Sequence, residues 1–488
     1  MLRNYSQIAL IFTAMFVFLT LILKPFQLMG ITDQGYWINF FYNFINLSEP
    51  KSSLIKSHFF EHSLLFLISP LAYITNPIIL SYILYYFTYL SWFLTFYILS
   101  FGMFELKKVC LSFLLFFCST TLFFHYGLNF NGWNSIYIAP ALMALSYYFS
   151  FIKANYKKSI LSFLPLLLLK IQFWLLLPFL LLSIYVHSKK KRYLVFTLIS
   201  LIGFFFYLLK IRPALYDDSF TGSPLLSAYS HLNINDLNNF LQIISNNIGL
   251  KLTLIIAFFV QFLFLIDLKA IKKKDLLIYF LLIFPIFSYC ILSTRTVMSY
   301  WTHEHYVLPV LPVILLILLK YSSFSKIRIL FYILINLILI CGIFLMKEPW
   351  QYKYYQDERQ LENQIKTLMT LNYNDHILAD DRTGLYFANH QINFPKFIKD
   401  KTLEPKYIVL NLRYIFYTNN IKRQKSKEVI SSFKFLKDYE KNLNEYGVLY
   451  QNYPFVVYEK KLKSNIDIDP DVFNDWDLIS IQDNRVFK

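Results

Sequence analysis

The residues able to do chemistry gather in a few polar stretches between long apolar runs. Asp33, Glu61 and His62 fall in one of these, ITDQGYWINFFYNFINLSEPKSSLIKSHFFEHSLLFLISPLAY (Ile31 to Tyr73), which separates the first two hydrophobic spans. It runs for roughly forty residues where most connections need only about six, and loops of that length are usually functional. A carboxylate held near a bilayer surface is suited to deprotonating a hydroxyl, which makes Asp33 the candidate general base and Glu61, next to His62, the alternative. A second set carries candidate substrate-binding residues: Asn129, Asn131 and Trp133 in HYGLNFNGWNS, the pair Lys170 and Gln172, Arg295, and His303 and Glu304 in YWTHEHY. Arg295, Lys170 and Lys56 can meet an anionic phosphate, Arg as a bidentate fork and Lys as a point charge. Taken singly, each charged residue fits equally well as a snorkelling side chain or a helix-end partner. Their convergence on one membrane face is what argues for a shared cleft.

These stretches must be positioned by the apolar runs around them. The chain is 56% hydrophobic and 20% aromatic, and many runs approach the ~20 residues that cross a bilayer as helix, so the class is a polytopic α-helical membrane protein. A net charge of +17 would point to nucleic acid in a soluble protein. In a membrane protein Lys and Arg accumulate in cytoplasmic loops for orientation alone, so no nucleic-acid partner is expected. Cys110, Cys118, Cys290 and Cys341 all fall within apolar spans, without the spacing of a metal site or a disulfide framework.

The first span, Gln7 to Phe26, lacks a small-residue cleavage site and reads as a retained helix, with Arg3 holding the N-terminus inside. Further spans are Pro77 to Ser100, Lys108 to Phe124, Ser135 to Ile152, Tyr193 to Leu209, Leu250 to Leu268, Asp275 to Thr294, Tyr306 to Leu319 and Ile329 to Met346. Ser159 to His187 has basic residues at both ends, so it must cross an even number of times, as two short helices meeting around Lys170 to Gln172. The total is about eleven crossings. The loops this makes cytoplasmic are the basic ones: Lys107 and Lys108, Lys153 to Lys158, Lys189 to Arg192, Lys269 to Lys274, and Lys320 to Arg328. Counting Phe59 to Tyr73 as a full span would invert every later loop, so it reads as a juxtamembrane or re-entrant helix on the outer face.

Residues 1–346 thus form a membrane domain with a long first outer loop over 27–76. The ~140 residues of 347–488 have the size of one small domain, placed outside the cytoplasm. Helices Gln351 to Leu371 and Ser426 to Leu443, strands His376 to Ala379 and Tyr407 to Leu412, and a hairpin Gly447 to Glu459 predict a small α/β fold. No fixed-period repeat, Gly-rich phosphate loop or metal-ligand spacing stands out.

Several of these stretches together carry a resemblance. The "DQ" just after the first span, the His before an apolar run to Pro in EHSLLFLISPLAYI, and NFNGWNSIYIAPALMALSYY resemble the prokaryotic membrane family called domain of unknown function 2079. So do KIQ at Lys170 to Gln172, EHYVLPVLPVILL, and, in the tail, ILADDRTGLYFANHQINFPKF followed by YIVLNLRYIFY. That family is similar in layout to GT-C-fold membrane glycosyltransferases, which take sugars from polyprenyl-phosphate carriers on the outer face. The resemblance implies a catalytic acid in the first outer loop, and Asp33 is the matching position. The chain departs from the family pattern at Asn129 and Asn131, which replace an acid and a histidine, and at Ile171 and Gln172, which replace two acids. Those departures argue against dependence on a divalent metal, and no other cofactor is implied.

The function expected from the resemblance is transfer of a sugar from a polyprenyl-phosphate donor to an envelope glycan, lipid or protein, on the extracytoplasmic face of a prokaryotic cytoplasmic membrane. Such transfer needs a base for the acceptor hydroxyl and cations for the departing phosphate. Tyr36, Trp37, Trp133 and Trp301 suit either stacking on sugar faces or an interfacial aromatic belt. Two alternatives stay open: a transporter or flippase for a lipid-linked or small polar substrate, and a non-catalytic envelope assembly protein. A transporter should carry its polar groups near the bilayer midplane on broken helices.

Overall fold

The structure, a computed structural model, describes residues 67–75, 90–99, 111–112, 114–116, 135–211, 260–292, 308–346, 360–361, 364–372, 375–379, 390–392, 403–411, 444–452 and 455–460. Isolated positions such as Phe41 and Phe87 are also described. The first part is a helical bundle of α1 (Leu90–Leu99), α2 (Ala139–Tyr147), α3 (Tyr156–Phe163) and α4 (Ile171–Ser188). It continues with α5 (Arg192–Phe206), α6 (Lys273–Leu292), α7 (Leu311–Tyr321) and α8 (Lys326–Met346).

Local chemistry sets the helix ends. Pro140 opens α2, where a missing N–H leaves no bond unmade. A π-turn, Tyr148–Ile152, closes the same helix. The side chain of Asn155 caps α3, accepting from the Lys158 amide at 3.2 Å. Pro165 belongs to a three-ten turn, Leu164–Leu168, and Lys170 then turns extended (φ -160, ψ 150), which ends one helix and starts the next. Lys189 ends α4 in the left-handed region (φ 61), a C-cap conformation usually taken by glycine.

α3 and α4 form an antiparallel hairpin. Phe163 meets Phe173 edge-on at 6.1 Å near its apex, and Tyr156 hydrogen-bonds His187 at its open end. The pair of short helices expected between Ser159 and His187 is this hairpin, with α3 beginning at Tyr156 and α4 reaching Ser188. Ser146, Ser150 and Ser159 share hydroxyl hydrogen bonds between α2 and α3, with Ser146 and Ser159 3.0 Å apart. Small hydroxyl side chains let two helices approach closely while satisfying each other, which suits an apolar surround. Deeper in the bundle Trp92, Phe116, Phe262 and Tyr332 pack ring to ring, and the Tyr332 hydroxyl donates to the Leu115 carbonyl.

Among the described residues two helices, Ile171–Ser188 and Arg192–Ile211, are long and apolar enough to cross a membrane by length and composition. Leu90–Leu99, Ala139–Ile152 and Leu311–Tyr321 are shorter apolar helices. The described helices therefore give no support to a count of about eleven crossings. α5, α6 and α8 turn large apolar side chains outward, among them Ile202, Phe206, Phe280, Leu330 and Ile338. So much exposed apolar surface is unusual for a protein surrounded by water. Of the segment Phe59 to Tyr73, the described part ends in a three-ten turn, Ser69–Tyr73, with Leu71 and Tyr73 exposed.

The C-terminal region holds a five-stranded sheet in the order β2-β1-β3-β5-β4. Its strands are β1 (Ile377–Ala379), β2 (Gln391–Ile392), β3 (Tyr407–Asn411), β4 (Tyr446–Asn452) and β5 (Phe455–Lys460). β1 runs parallel to β2 and β3, and β5 runs antiparallel to β3 and β4. All five residues of β3 are buried, as expected of a central strand covered on both faces. Ile365 and Met369 pack on the face that carries Tyr407 and Val409. The sequence reading finds β1, β3 and the hairpin within a residue or two but omits β2, whose two residues are too short to show an alternation. The predicted helix Ser426 to Leu443 lies outside the described residues.

Asp375 ties the start of this sheet together. Its carboxylate accepts from the Asn372 amide at 2.8 Å and from the Lys406 ammonium at 3.0 Å, and these hold it below the usual carboxylate range. A carboxyl lowered in the folded state contributes stability above its unfolded value, and that stability is lost as pH falls through the folded value. Hydrogen exchange of the β1 and β3 amides in the full chain is therefore expected to quicken as pH drops below about 4, after correction for intrinsic rates. Asp375→Asn should flatten that acid dependence; an unchanged profile would remove the pair from the account.

Candidate functional site

The helix ends sort into two poles. At the first, α3 begins, α4 ends, α6 begins and α7 ends. The Lys274 ammonium donates to the His187 carbonyl at 3.0 Å, and Lys320 pairs with Asp275 at 2.6 Å. The Tyr321 hydroxyl also donates to Asp275. The Asp267 amide donates to the Tyr321 carbonyl at 2.8 Å and the Ser323 amide to the Leu265 carbonyl at 2.9 Å, joining the loops before α6 and after α7. The basic segments 153–158, 189–192, 269–274 and 320–328 thus share one end of the bundle. The sequence reading treats Lys320 as a loop cation. It is instead the penultimate residue of α7, held there by the acid in the first turn of α6.

Lys170 and Gln172 stand at the opposite pole, the apex of the α3–α4 hairpin. Gln172 is 2% exposed, and its side-chain carbonyl has no hydrogen-bond partner among the described residues. Lys170 is half-buried two residues before it, with its own carbonyl accepting from the Phe173 amide at 3.1 Å. A buried polar atom without a partner costs about 1–3 kcal/mol, so it is retained where something else uses it. Gln172→Leu is expected to raise the thermal midpoint of the full chain, consistent with removing about 1 kcal/mol of unmet polarity, while lowering any activity that uses the apex. A lowered midpoint would show that the amide is satisfied after all.

The remaining candidates, Asp33, Glu61, His62, Lys56, Asn129, Asn131, Trp133, Arg295, His303 and Glu304, lie outside the described residues. Of the candidate site residues named from sequence, Lys170 and Gln172 are the two among the described residues, and they are neighbours in the chain. The described elements to which the other segments connect can still be placed. Chain direction puts the start of α2, the end of α6 and the start of α7 at the pole opposite the basic loops. The turn that leads into α7 (Leu308–Val310) packs on both α2 and α6.

Sequence reasoning passes over the network of Tyr156, His187, Asp275 and Tyr321 at the basic pole. Its one visible signal is a lone acid in KKKDLL and a lone His before KKKR. It also passes over Tyr147 and Ser183, whose hydroxyls are buried without partners among the described residues. Among the described residues no group of three or more His, Cys, Asp and Glu side chains is placed to hold a metal. No family model matches the chain, and no curated protein matches it.

Proposed function

We propose that the chain is a multi-pass protein of a prokaryotic cytoplasmic membrane that transfers a sugar from a polyprenyl-phosphate donor to an envelope acceptor on the outer face. In this reading the N-terminus lies inside and the C-terminal α/β domain outside. The observation that carries it is the polarity of the bundle. Exposed cations crowd one pole, as cytoplasmic loops do, and the Lys170–Gln172 apex with its unmet carbonyl occupies the other. The outward apolar faces of α5, α6 and α8 support the membrane placement.

In the transfer, Asp33 takes the proton of the acceptor hydroxyl as its oxygen bonds to the anomeric carbon. The bond from that carbon to the phosphate oxygen breaks, and polyprenyl phosphate leaves against Arg295 and Lys170. Glu61 is the alternative base, with His62 beside it. Asn129, Asn131, Trp133, His303 and Glu304 contribute to substrate binding. A transporter or flippase is the second reading, favoured by the hydroxyls of Tyr147 and Ser183, buried inside the bundle without partners among the described residues, and by Pro178 within α4.

Proteoliposomes holding the full-length protein separate the two. With a panel of polyprenyl-phosphate sugars and an envelope extract as acceptor, the transferase reading expects labelled sugar to appear on the acceptor with release of polyprenyl phosphate. Movement of the labelled lipid between leaflets without any release of the phosphate favours the transporter.

A further inference from the structure

One strongly basic surface among the described residues takes no part in the proposed transfer. Lys153, Lys157 and Lys158, before and in α3, and Lys189 to Arg192, between α4 and α5, are all exposed. Tyr156 joins the two groups: its hydroxyl bonds His187 at 2.9 Å and its ring meets Tyr193 edge-on at 5.4 Å. Arg192 lies over the Tyr193 ring at 5.0 Å and donates to its hydroxyl at 3.1 Å. No Asp or Glu occurs between Glu105 and Asp217 in the sequence. The carboxylate of Asp275, at the same pole, is taken by Lys320 and Tyr321. Among the described residues, no carboxylate pairs with Lys189, Lys190, Lys191 or Arg192. So many like charges without a counter-charge repel one another, and an anion placed among them would relieve that repulsion.

This cationic strip opens directly onto an apolar face. α5 packs on α4 through Phe204, and Tyr207, in the π-turn that follows α5, stacks on Trp174 at 4.5 Å. Its other side carries Leu198, Ile199, Ile202 and Phe206, each more than half exposed, with Ile202 at 69%. We propose that this surface docks an anionic diacyl phospholipid of the leaflet at the basic pole, its phosphate against Lys190, Lys191 and Arg192 and its acyl chains along α5. The occupant follows from charge and continuity: a phosphodiester supplies the missing negative charge, and two acyl chains attached to it cover the adjoining apolar face. A neutral lipid leaves the cations unmatched. The inference rests on the membrane placement proposed above, but not on the transferase chemistry.

The test uses full-length protein in a neutral detergent, titrated with dioctanoyl phosphatidylglycerol and with dioctanoyl phosphatidylcholine while tryptophan fluorescence is followed. Each basic residue near an anionic surface contributes roughly fivefold in affinity. Phosphatidylglycerol is therefore expected to bind at least tenfold more tightly than phosphatidylcholine. In Lys190→Gln/Lys191→Gln/Arg192→Gln that preference should fall toward one, whereas Lys272→Gln/Lys273→Gln, just before and at the first residue of α6, should keep most of it. Should the triple variant misfold, salt serves in its place: raising it from about 0.05 to 0.5 M must erode the wild-type preference. Equal binding of the two phospholipids, or a preference indifferent to salt or to the triple variant, overturns the proposal. Recovery of the protein in the supernatant of carbonate-washed membranes would fail the membrane placement itself. Recovery in the pellet without lipid preference would fail only this inference.

Discussion

Asp33→Asn is expected to lower sugar transfer at least ~100-fold, the least that a positioned general base typically contributes, with the amount of folded protein unchanged. The substitution keeps the shape of the side chain and most of its hydrogen bonding, and removes only the charge that accepts the acceptor's proton. Asp33 is the acidic position selected both by the chemistry of the outer loop and by the resemblance to GT-C-like membrane proteins. If Asp33 instead ties the outer loop to a cation, Asp33→Asn would lower abundance and leave product per molecule nearly unchanged. Product normalised to immunoblotted protein separates the two roles. Glu61→Gln, tested alongside, should have the smaller effect if Asp33 is the base, and the larger one if the roles are exchanged.

Arg295→Ala should produce the next largest loss. Charge-assisted hydrogen bonds contribute about 1.5–3 kcal/mol each, which corresponds to roughly a ten- to a hundredfold fall in kcat/KM if, as proposed, the guanidinium meets the leaving phosphate. Arg295→Lys should restore part of it, because an ammonium supplies the charge but not the two-pronged geometry. A fall confined to KM would mean that Arg295 grips donor and transition state alike; a fall in kcat would mean that it meets the charge developing on the departing phosphate. Full activity in Arg295→Ala would leave the phosphate to Lys170 and Lys56.

The parts of the fold that were legible in the sequence are those fixed by a single physical signal. The break at Lys170 was legible because a run too long for one helix and too short for two long ones is bounded at both ends by Lys and Arg. The limits of Ser135 to Ile152 follow from an apolar run between Asn134 and Lys153. Tyr407 to Leu412 stands out as a run rich in β-branched and aromatic residues, and His376 to Ala379 as a short apolar one between polar residues. The features that were missed depend on partners distant in sequence. Nothing in YSSFSK or FLIDLK announces the short antiparallel bridge between Ile266 and Ser322. Lys320 could be taken for a loop residue because its partner Asp275 is on another helix. The left-handed turn at Lys189 lacks the glycine that usually marks one. Of the candidate site, Lys170 and Gln172 were legible as polar residues inside an apolar run. That Gln172 is buried with its carbonyl unmet was not, since it depends on what packs around the hairpin apex.

Mass spectrometry of envelope glycans and of polyprenyl-phosphate sugars tests the transfer most directly. A strain lacking this chain would be compared with the same strain carrying either the wild type or Asp33→Asn. The account predicts that one sugar modification disappears from an envelope component in the deletion while its polyprenyl-phosphate form persists or accumulates on the outer face. Wild type should restore the modification, and Asp33→Asn, present at normal levels, should not. An unchanged glycan and lipid profile in the deletion, or full restoration by Asp33→Asn, would contradict it.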